Sequence, residues 1–233
     1  MLDLVKLTAQ VSALSQHLQE EAGKNQRRLL HALTIHQEWQ ADPQRWMQRY
    51  DKWGSQLGFA CGQPMEPGVG VDVEPIQGSH TVVATDGSQI MPSHHEIAYC
   101  SLINVGRVGI PYGLKQRPLL DSVPVLYYRS ADLGRRGIRS EELVSLRRTQ
   151  AEMEELGQLA ARFSRQDPNH LAQDSTPVPL LALTDGSLIH WSLDPLPTDE
   201  QRHWLEPILQ SYQQLRQLRI PVMGYISAPR SRE

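Results

Sequence analysis

One tetrapeptide, Thr-Asp-Gly-Ser, occurs twice in this chain and contains the residues best suited to chemistry. Asp86 follows the apolar run 81–84, and Asp185 follows the apolar run 180–183. Short apolar runs are typical of buried strands, and in each copy a glycine after the carboxylate allows the chain to turn away. If the two strands are parallel neighbours, both carboxylates lie at one edge of a sheet. Such a pair repels unless a proton or a divalent cation lies between them, so the repeat predicts a metal site.

A simpler interpretation of each copy is a turn. Asp-Gly is a common hairpin dipeptide, and a single occurrence is more often a turn than a ligand site. Two copies with the same flanking residues, at Asp86 and Asp185, favour the site.

The third ligand is expected on the helix between the two strands. This helix begins near Ser140, with acidic residues in its first turn. At about 100° per residue, Glu152 lies about 50° from the centre of the apolar face and Glu155 about 110° from it. A glutamate turned toward a sheet is costly to bury unless it is paired or binds a metal. Glu152 is therefore the preferred ligand and Glu155 the reserve, although an ion pair with Arg148, one turn earlier, would also explain Glu152. The apolar face consists of Leu146, Met153, Leu156, Leu159, Ala160 and Phe163.

Arginines cluster just before and within the start of this helix. Two glycines, Gly134 and Gly137, make the segment a flexible basic loop. Most charge runs are solvated faces, and the alternative here is a patch that contacts phosphates. The residues predicted to bind nucleic acid are Arg135, Arg136, Arg139 and Arg148.

Composition narrows the class of protein. The chain has 233 residues, of which 39% are hydrophobic and 21% charged, with a formal net charge of −3. This balance gives no global attraction to nucleic acid, so such binding must use local patches. Cys61 and Cys100 lack metal-ligand spacing, and no signal peptide or membrane-spanning run is evident. We expect a cytoplasmic protein with reduced thiols that does not enter a membrane.

The first 53 residues predict a helical arm. A heptad pattern over residues 2–22 is interrupted at Gly23 and Asn25, and a second helix is expected to reach Trp39. Asp42-Pro43 predicts the start of a third helix. Residues 1–53 thus form an arm that could mediate dimerisation, and residues 54–79, rich in glycine and proline, form a connector. Residues 80–233 form the core.

Within the core, a long strand is expected over 95–110, another over 123–128, and a last one over 220–227. Pro124 indicates that the second of these is an edge strand or that the proline is among the strand's first residues. His94-His95-Glu96 contains ligand types, but neighbours on a strand point to opposite faces, so we interpret it as a structural turn. The fold class is α/β, with a mixed sheet flanked by helices.

The order of these elements resembles a ribonuclease-H-like core. The sequences of three segments resemble the NurA nuclease family, and the resemblance covers roughly residues 75–230. The resemblance implies a manganese-dependent nuclease of DNA double-strand-break repair that processes DNA ends in the 5′-to-3′ direction. It also implies a homodimer that works with a hexameric HerA-type helicase. The three segments are Val82-Val83-Ala84-Thr85-Asp86-Gly87-Ser88, Leu183-Thr184-Asp185-Gly186-Ser187-Leu188 and Gly224-Tyr225-Ile226-Ser227.

By this resemblance, Asp86, Glu152 and Asp185 would be the catalytic residues and would bind two Mn²⁺ or Mg²⁺ ions. One ion would activate the attacking water and the other would stabilise the leaving 3′ oxygen. The family pattern continues past the last strand into a region that supplies further active-site residues, including a histidine, so we expect an incomplete core. The alternatives are a non-catalytic module that dimerises and docks a partner ATPase, or an unrelated α/β enzyme with two structural turns.

Overall fold

The computed structural model describes residues 4–56, 72–93, 97–134, 138–166 and 178–227. The chain divides into two compact units, Met1–Pro75 and Ile76–Glu233. The boundary between them falls within the predicted connector, 54–79. Three sequence-level predictions lie outside the described residues: the turn at His94-His95-Glu96, and the DNA contacts of Arg135 and Arg136.

The first unit contains two helices, α1 (Leu4–Ala41) and α2 (Pro43–Trp53). The predicted break at Gly23 and Asn25 is wrong, because α1 continues through both residues. A single helical glycine costs only about 1 kcal/mol, which the strong helix formers around it can offset. The predicted start of α2 is confirmed, since the Asp42 side chain accepts a hydrogen bond from the Arg45 N–H at 3.0 Å.

The second unit is built on a five-stranded mixed sheet. The strands are β1 (His80–Ile90), β2 (Ser101–Tyr112), β3 (Leu119–Tyr127), β4 (Leu180–Asp185) and β5 (Val222–Tyr225). Their order is β3-β2-β1-β4-β5. The first three are antiparallel neighbours, whereas β4 is parallel to β1 and β5 is parallel to β4.

The mixed sheet agrees with the predicted fold class, and Pro124 lies on the edge strand β3, where its missing N–H breaks no ladder within the sheet. The bounds of three predicted strands are wrong. The strand expected over 95–110 begins six residues later, as β2, and the strand expected over 123–128 begins four residues earlier, as β3. β5 is shorter than the predicted 220–227. Apolar composition marks a strand, but its ends depend on where a neighbour is available to pair.

Three helices complete this unit: α3 (Ser130–Leu133), α4 (Ser140–Gln166) and α5 (Thr198–Gln217). A short 3-10 helix, Trp191–Leu193, precedes α5. The main core cluster joins α4 and α5 to the strands, because Val83 and Ala182 pack in one cluster with residues of both helices. Among the described helices of the chain, none is both long and apolar enough to cross a membrane. The cluster also contains Met153, Leu156, Leu159, Phe163, Ile208 and Leu215.

Candidate active site

Asp86 and Asp185 are neighbours in the sheet. The parallel pairing of β1 with β4 ends at Thr85 and Thr184, which are register partners. The next residue on each strand is the aspartate, and both aspartates are exposed. The expectation of two parallel strands that carry their carboxylates to the same edge is therefore confirmed.

The two Asp-Gly pairs have different backbone roles. Because β2 continues to pair with β1 as far as Ile90, Asp86 and Gly87 lie inside a strand. The prediction that the first copy ends its strand is wrong, and so is its alternative interpretation as a hairpin turn. In the second copy β4 does end at Asp185, and Gly186 turns the chain with a positive φ of 95°.

Gly87 is required by the close approach of α4. Its N–H donates a hydrogen bond to Glu152 Oε1 at 3.0 Å, and its carbonyl accepts one from Arg148 Nη1 at 3.3 Å. A Cβ atom at this position would lie 2.6 Å from Arg148 Cγ and would overlap the Glu152 carboxylate. Any larger residue at this position would therefore displace these two side chains of α4.

A second bond fixes the same turn of α4. The buried Thr85 hydroxyl donates to the main-chain carbonyl of Glu152 at 2.9 Å. Thr85 and Gly87 flank Asp86 on β1, so both bonds tie the Glu152 turn of α4 to the segment that contains Asp86. This places the Glu152 side chain against the β1 segment that contains Asp86, on the α4 side of the sheet.

Burial raises the pKa of Glu152 to about 7. The Arg148 guanidinium, whose Nε lies 3.5 Å from Oε1, and the Gly87 N–H oppose this rise. The negative charges of Asp86 and Asp185 add to it. The three carboxyl groups therefore interact electrostatically. Near neutral pH, both the charged and the protonated form of the Glu152 carboxyl are populated.

Glu155, the reserve ligand, points elsewhere. Its Oε2 accepts a hydrogen bond from Arg107 Nη1 at 2.9 Å. Arg107 also binds both carboxylate oxygens of Asp121, at 2.8 and 2.7 Å, so that it joins α4 to β2 and β3. The sequence interpretation missed this cluster. The sequence does contain a signal for this cluster. Arg107 lies within the otherwise apolar strand 101–112, and an arginine needs a partner to be buried there.

The described residues contain no group of three or more His, Cys, Asp and Glu side chains arranged to enclose a metal ion. The alternation of β1 gives a physical reason. Thr85 and Gly87 are buried toward α4, whereas Asp86 between them is exposed and has the opposite parity. Glu152 approaches from the α4 side, and its Oε1 makes both contacts described above. Three carboxylates are nevertheless the oxygen ligands that Mg²⁺ and Mn²⁺ prefer.

The predicted basic patch is only partly described. Arg148 lies beside Glu152, consistent with the ion pair considered from the sequence, and Arg139 is exposed immediately before α4. Arg147 instead packs over the Tyr127 ring, 4.7 Å from its centroid. A shared DNA-binding surface of these arginines stays a prediction.

A cavity of about 270 Å³ opens beside Glu152 and Asp185. The sequence interpretation did not identify its apolar side, although the signal was a tryptophan six residues after Asp185. The cavity is lined in part by Arg148, Glu152, Asp185, Ile189, His190 and Trp191.

Comparison with known proteins identifies the family. One solved structure, "Crystal structure of Prototype Foamy Virus Protease-Reverse Transcriptase (native)", is 15% identical with a TM-score of 0.35. That alignment covers 66% of this chain but only 18% of the viral chain, and it carries no argument about function. No curated protein matches. The sequence profile of the NurA domain, in contrast, matches residues 80–233, which include β1 to β5 and all three acids. The chain therefore belongs to the NurA family of nucleases.

Proposed function

We propose that this protein is a metal-dependent deoxyribonuclease whose site is formed by Asp86, Asp185 and Glu152. The observation that carries the proposal is the adjacency of the two aspartates at the end of the β1–β4 pairing. The contact of Glu152 with Gly87 supports it, because this contact brings a third carboxyl group to the residue that follows Asp86. Membership of a nuclease family supplies the reaction class.

The chain's own residues have separable roles in this proposal. Asp86 and Asp185 would supply negative charge that holds Mn²⁺ or Mg²⁺, and Glu152 would add a third carboxylate after losing its proton. Two such ions, when bound, activate water and stabilise the leaving 3′ oxygen. Arg148 would hold a DNA phosphate near the acids by charge. No protein nucleophile is required.

The finer biological role rests on the family resemblance. We propose that the enzyme processes DNA ends in the 5′-to-3′ direction during double-strand-break repair in the cytoplasm, with manganese as the metal. A hexameric HerA-type helicase would be its partner.

We also propose that the protein forms a homodimer through α1. Apolar residues at heptad spacing on this helix, Val11, Leu14 and Leu18, are exposed. A second copy of the same helix would remove this stripe from water.

The alternative function is a non-catalytic module that dimerises and docks a partner ATPase. One observation favours it: no three acidic side chains in the described part of the chain form a ready metal cage. In that case Asp86, Glu152 and Asp185 would take no part in catalysis.

Release of nucleotides from linear DNA in the presence of Mn²⁺ tests the proposal. We expect Asp86→Asn and Asp185→Asn each to lower the rate at least about a hundredfold, since each removes a negatively charged ligand. Neither should reduce the free energy of unfolding, because each substitution removes a repelling charge. Asp51→Asn, at an exposed aspartate of the other unit, is the matched control and should retain full activity. Activity that survives either site substitution would refute the site, and an inactive wild-type protein would favour the non-catalytic module.

A further inference from the structure

An exposed apolar patch follows the second aspartate. Leu188, Ile189 and Trp191, here called the Trp191 patch, leave 40%, 58% and 52% of their surfaces exposed. Isolated exposed apolar residues are ordinary, but three within four positions beside a cavity are not explained by packing.

Buried and half-buried neighbours in the sequence hold the Trp191 patch in place. Leu193, at the end of the 3-10 helix that begins with Trp191, is buried in a cluster with Leu196 and Trp204. Between Ile189 and Trp191, the His190 ring lies half-buried against Tyr212, whose hydroxyl is 3.5 Å from Nε2. The exposed side chains therefore project from an anchored segment.

Two members of the Trp191 patch and two of the acids line one cavity. Ile189 and Trp191 line it together with Glu152, Asp185 and the neighbouring Arg148. A nucleotide has the matching division, with an apolar aromatic face on its base and an anionic phosphate. At about 270 Å³, the cavity is smaller than the pockets that enclose whole drug-sized ligands, and it suits a single base.

We propose that Trp191 stacks on one unpaired nucleobase of the DNA strand, next to the phosphodiester held at the acids. The proposal rests on the proposed nuclease function, which places a DNA backbone there. Stacking requires a free base face, and in a duplex both faces are covered by neighbouring base pairs. The Trp191 patch would thus give the site a preference for single-stranded DNA.

Binding without cleavage tests this inference separately from catalysis. Fluorescence anisotropy with labelled oligothymidylate, measured in EDTA at low salt, reports binding whether or not the protein is a nuclease. We expect Trp191→Ala to weaken binding about tenfold or more and Trp191→Phe to restore most of it. Trp53→Ala is the matched control, because Trp53 is equally exposed, at 51%, but lies in the other unit.

A strand with abasic sites distinguishes stacking from a change in fold. Wild type and Trp191→Ala should bind this strand equally, because it keeps the phosphates and lacks the bases. The inference is overturned by equal losses on both strands, by no measurable binding of oligothymidylate to wild type, or by a Trp191→Ala variant that binds normally. It is also overturned if Trp191→Ala changes the oligomeric mass alone, since a protein partner would then cover the patch. Loss of base-dependent binding in a protein without nuclease activity would keep the stacking site and reject the catalytic proposal.

Discussion

The Gly87 N–H donates to Glu152 Oε1 at 3.0 Å, and this bond joins the middle of a strand to the middle of a helix. The close contact of Gly87 with the Glu152 and Arg148 side chains explains why a glycine occupies this interior strand position, where glycine is normally unfavourable. The glycine of the second copy, Gly186, has a different purpose, because its positive φ turns the chain after β4. The repeated tetrapeptide thus has two different backbone conformations at one site, an extended strand at Gly87 and a turn at Gly186.

Gly87→Ala should displace both the Glu152 carboxyl and the Arg148 side chain. The added methyl would overlap Glu152 Oε1 and lie 2.6 Å from Arg148 Cγ. We expect the free energy of unfolding in urea to fall by about 1–3 kcal/mol, as for other overpacked positions. Nuclease activity should fall more than stability explains, because the displaced group is a proposed ligand.

Gly106→Ala is the matched control for this change. Gly106 is the register partner of Asp86 on β2, and a Cβ there meets only the Asp86 carbonyl, at 3.4 Å. We expect a change within about 1 kcal/mol, since the lower entropy of the unfolded chain offsets a mild contact. Equal losses in the two variants would show that the α4 contact is not the cause.

Glu152→Gln should change how stability depends on pH. The pKa of Glu152 is about 7 in the folded protein and 4.5 in its ordinary environment. Between these values the folded protein retains a proton that the unfolded chain releases, so the wild-type free energy of unfolding falls as pH rises through this window. Glutamine cannot ionise, and the variant should lack this contribution.

The check is urea unfolding of both proteins at pH 5 and pH 8 in EDTA. We expect Glu152→Gln to gain about 1–2 kcal/mol relative to wild type at the higher pH, a value discounted for the solvent that still reaches the carboxyl. The pH dependence of the other groups cancels in the difference. A difference that is the same at both pH values would mean that the pKa of Glu152 is not raised.

Arg107→Gln should destabilise the second unit by about 1–3 kcal/mol. It leaves the carboxylates of Glu155 and Asp121 without the guanidinium that both of them bind, and Glu155 is largely buried. The pKa of Asp121 is lowered chiefly by its hydrogen bond to Arg107, so the variant should also lose less stability when the pH falls below about 4.

A double-mutant cycle in urea identifies the pair responsible. Adding Glu155→Gln to Arg107→Gln should cost little or restore stability, because the unpaired carboxylate is then removed. Additive losses would contradict a direct Arg107–Glu155 interaction.

Leu18→Glu should convert the proposed dimer to a monomer. The substitution places a charge in the exposed apolar stripe of α1, where a second copy would bury it. Light scattering should give twice the protomer mass for wild type and a single mass for the variant. Gln16→Glu, an exposed change at a polar position of α1, should leave the dimer intact. A monomeric wild type would exclude this interface.

The sequence by itself determined the parts that depend on local chemistry. Short apolar runs located the strands, Asp42-Pro43 located the start of α2, and the repeated tetrapeptide singled out Asp86 and Asp185. The helical period placed Glu152 on the face toward the sheet, where it contacts β1, but it did not separate Glu155 from the sheet, because Glu155 binds Arg107 of β2 and its side chain is equally buried. These features follow from residue type and spacing within one element.

Only the tertiary structure decided the rest, because it depends on which elements become neighbours. The same Asp-Gly pair continues a strand at Gly87 and turns the chain at Gly186, since β2 extends beyond the end of β4 and offers β1 a partner there. The raised pKa of Glu152 likewise arises chiefly from burial, with smaller contributions from two carboxylates in distant parts of the chain. No pattern within a single segment of the sequence encodes this strand pairing or this burial. Both arise only when the sheet and α4 have packed together.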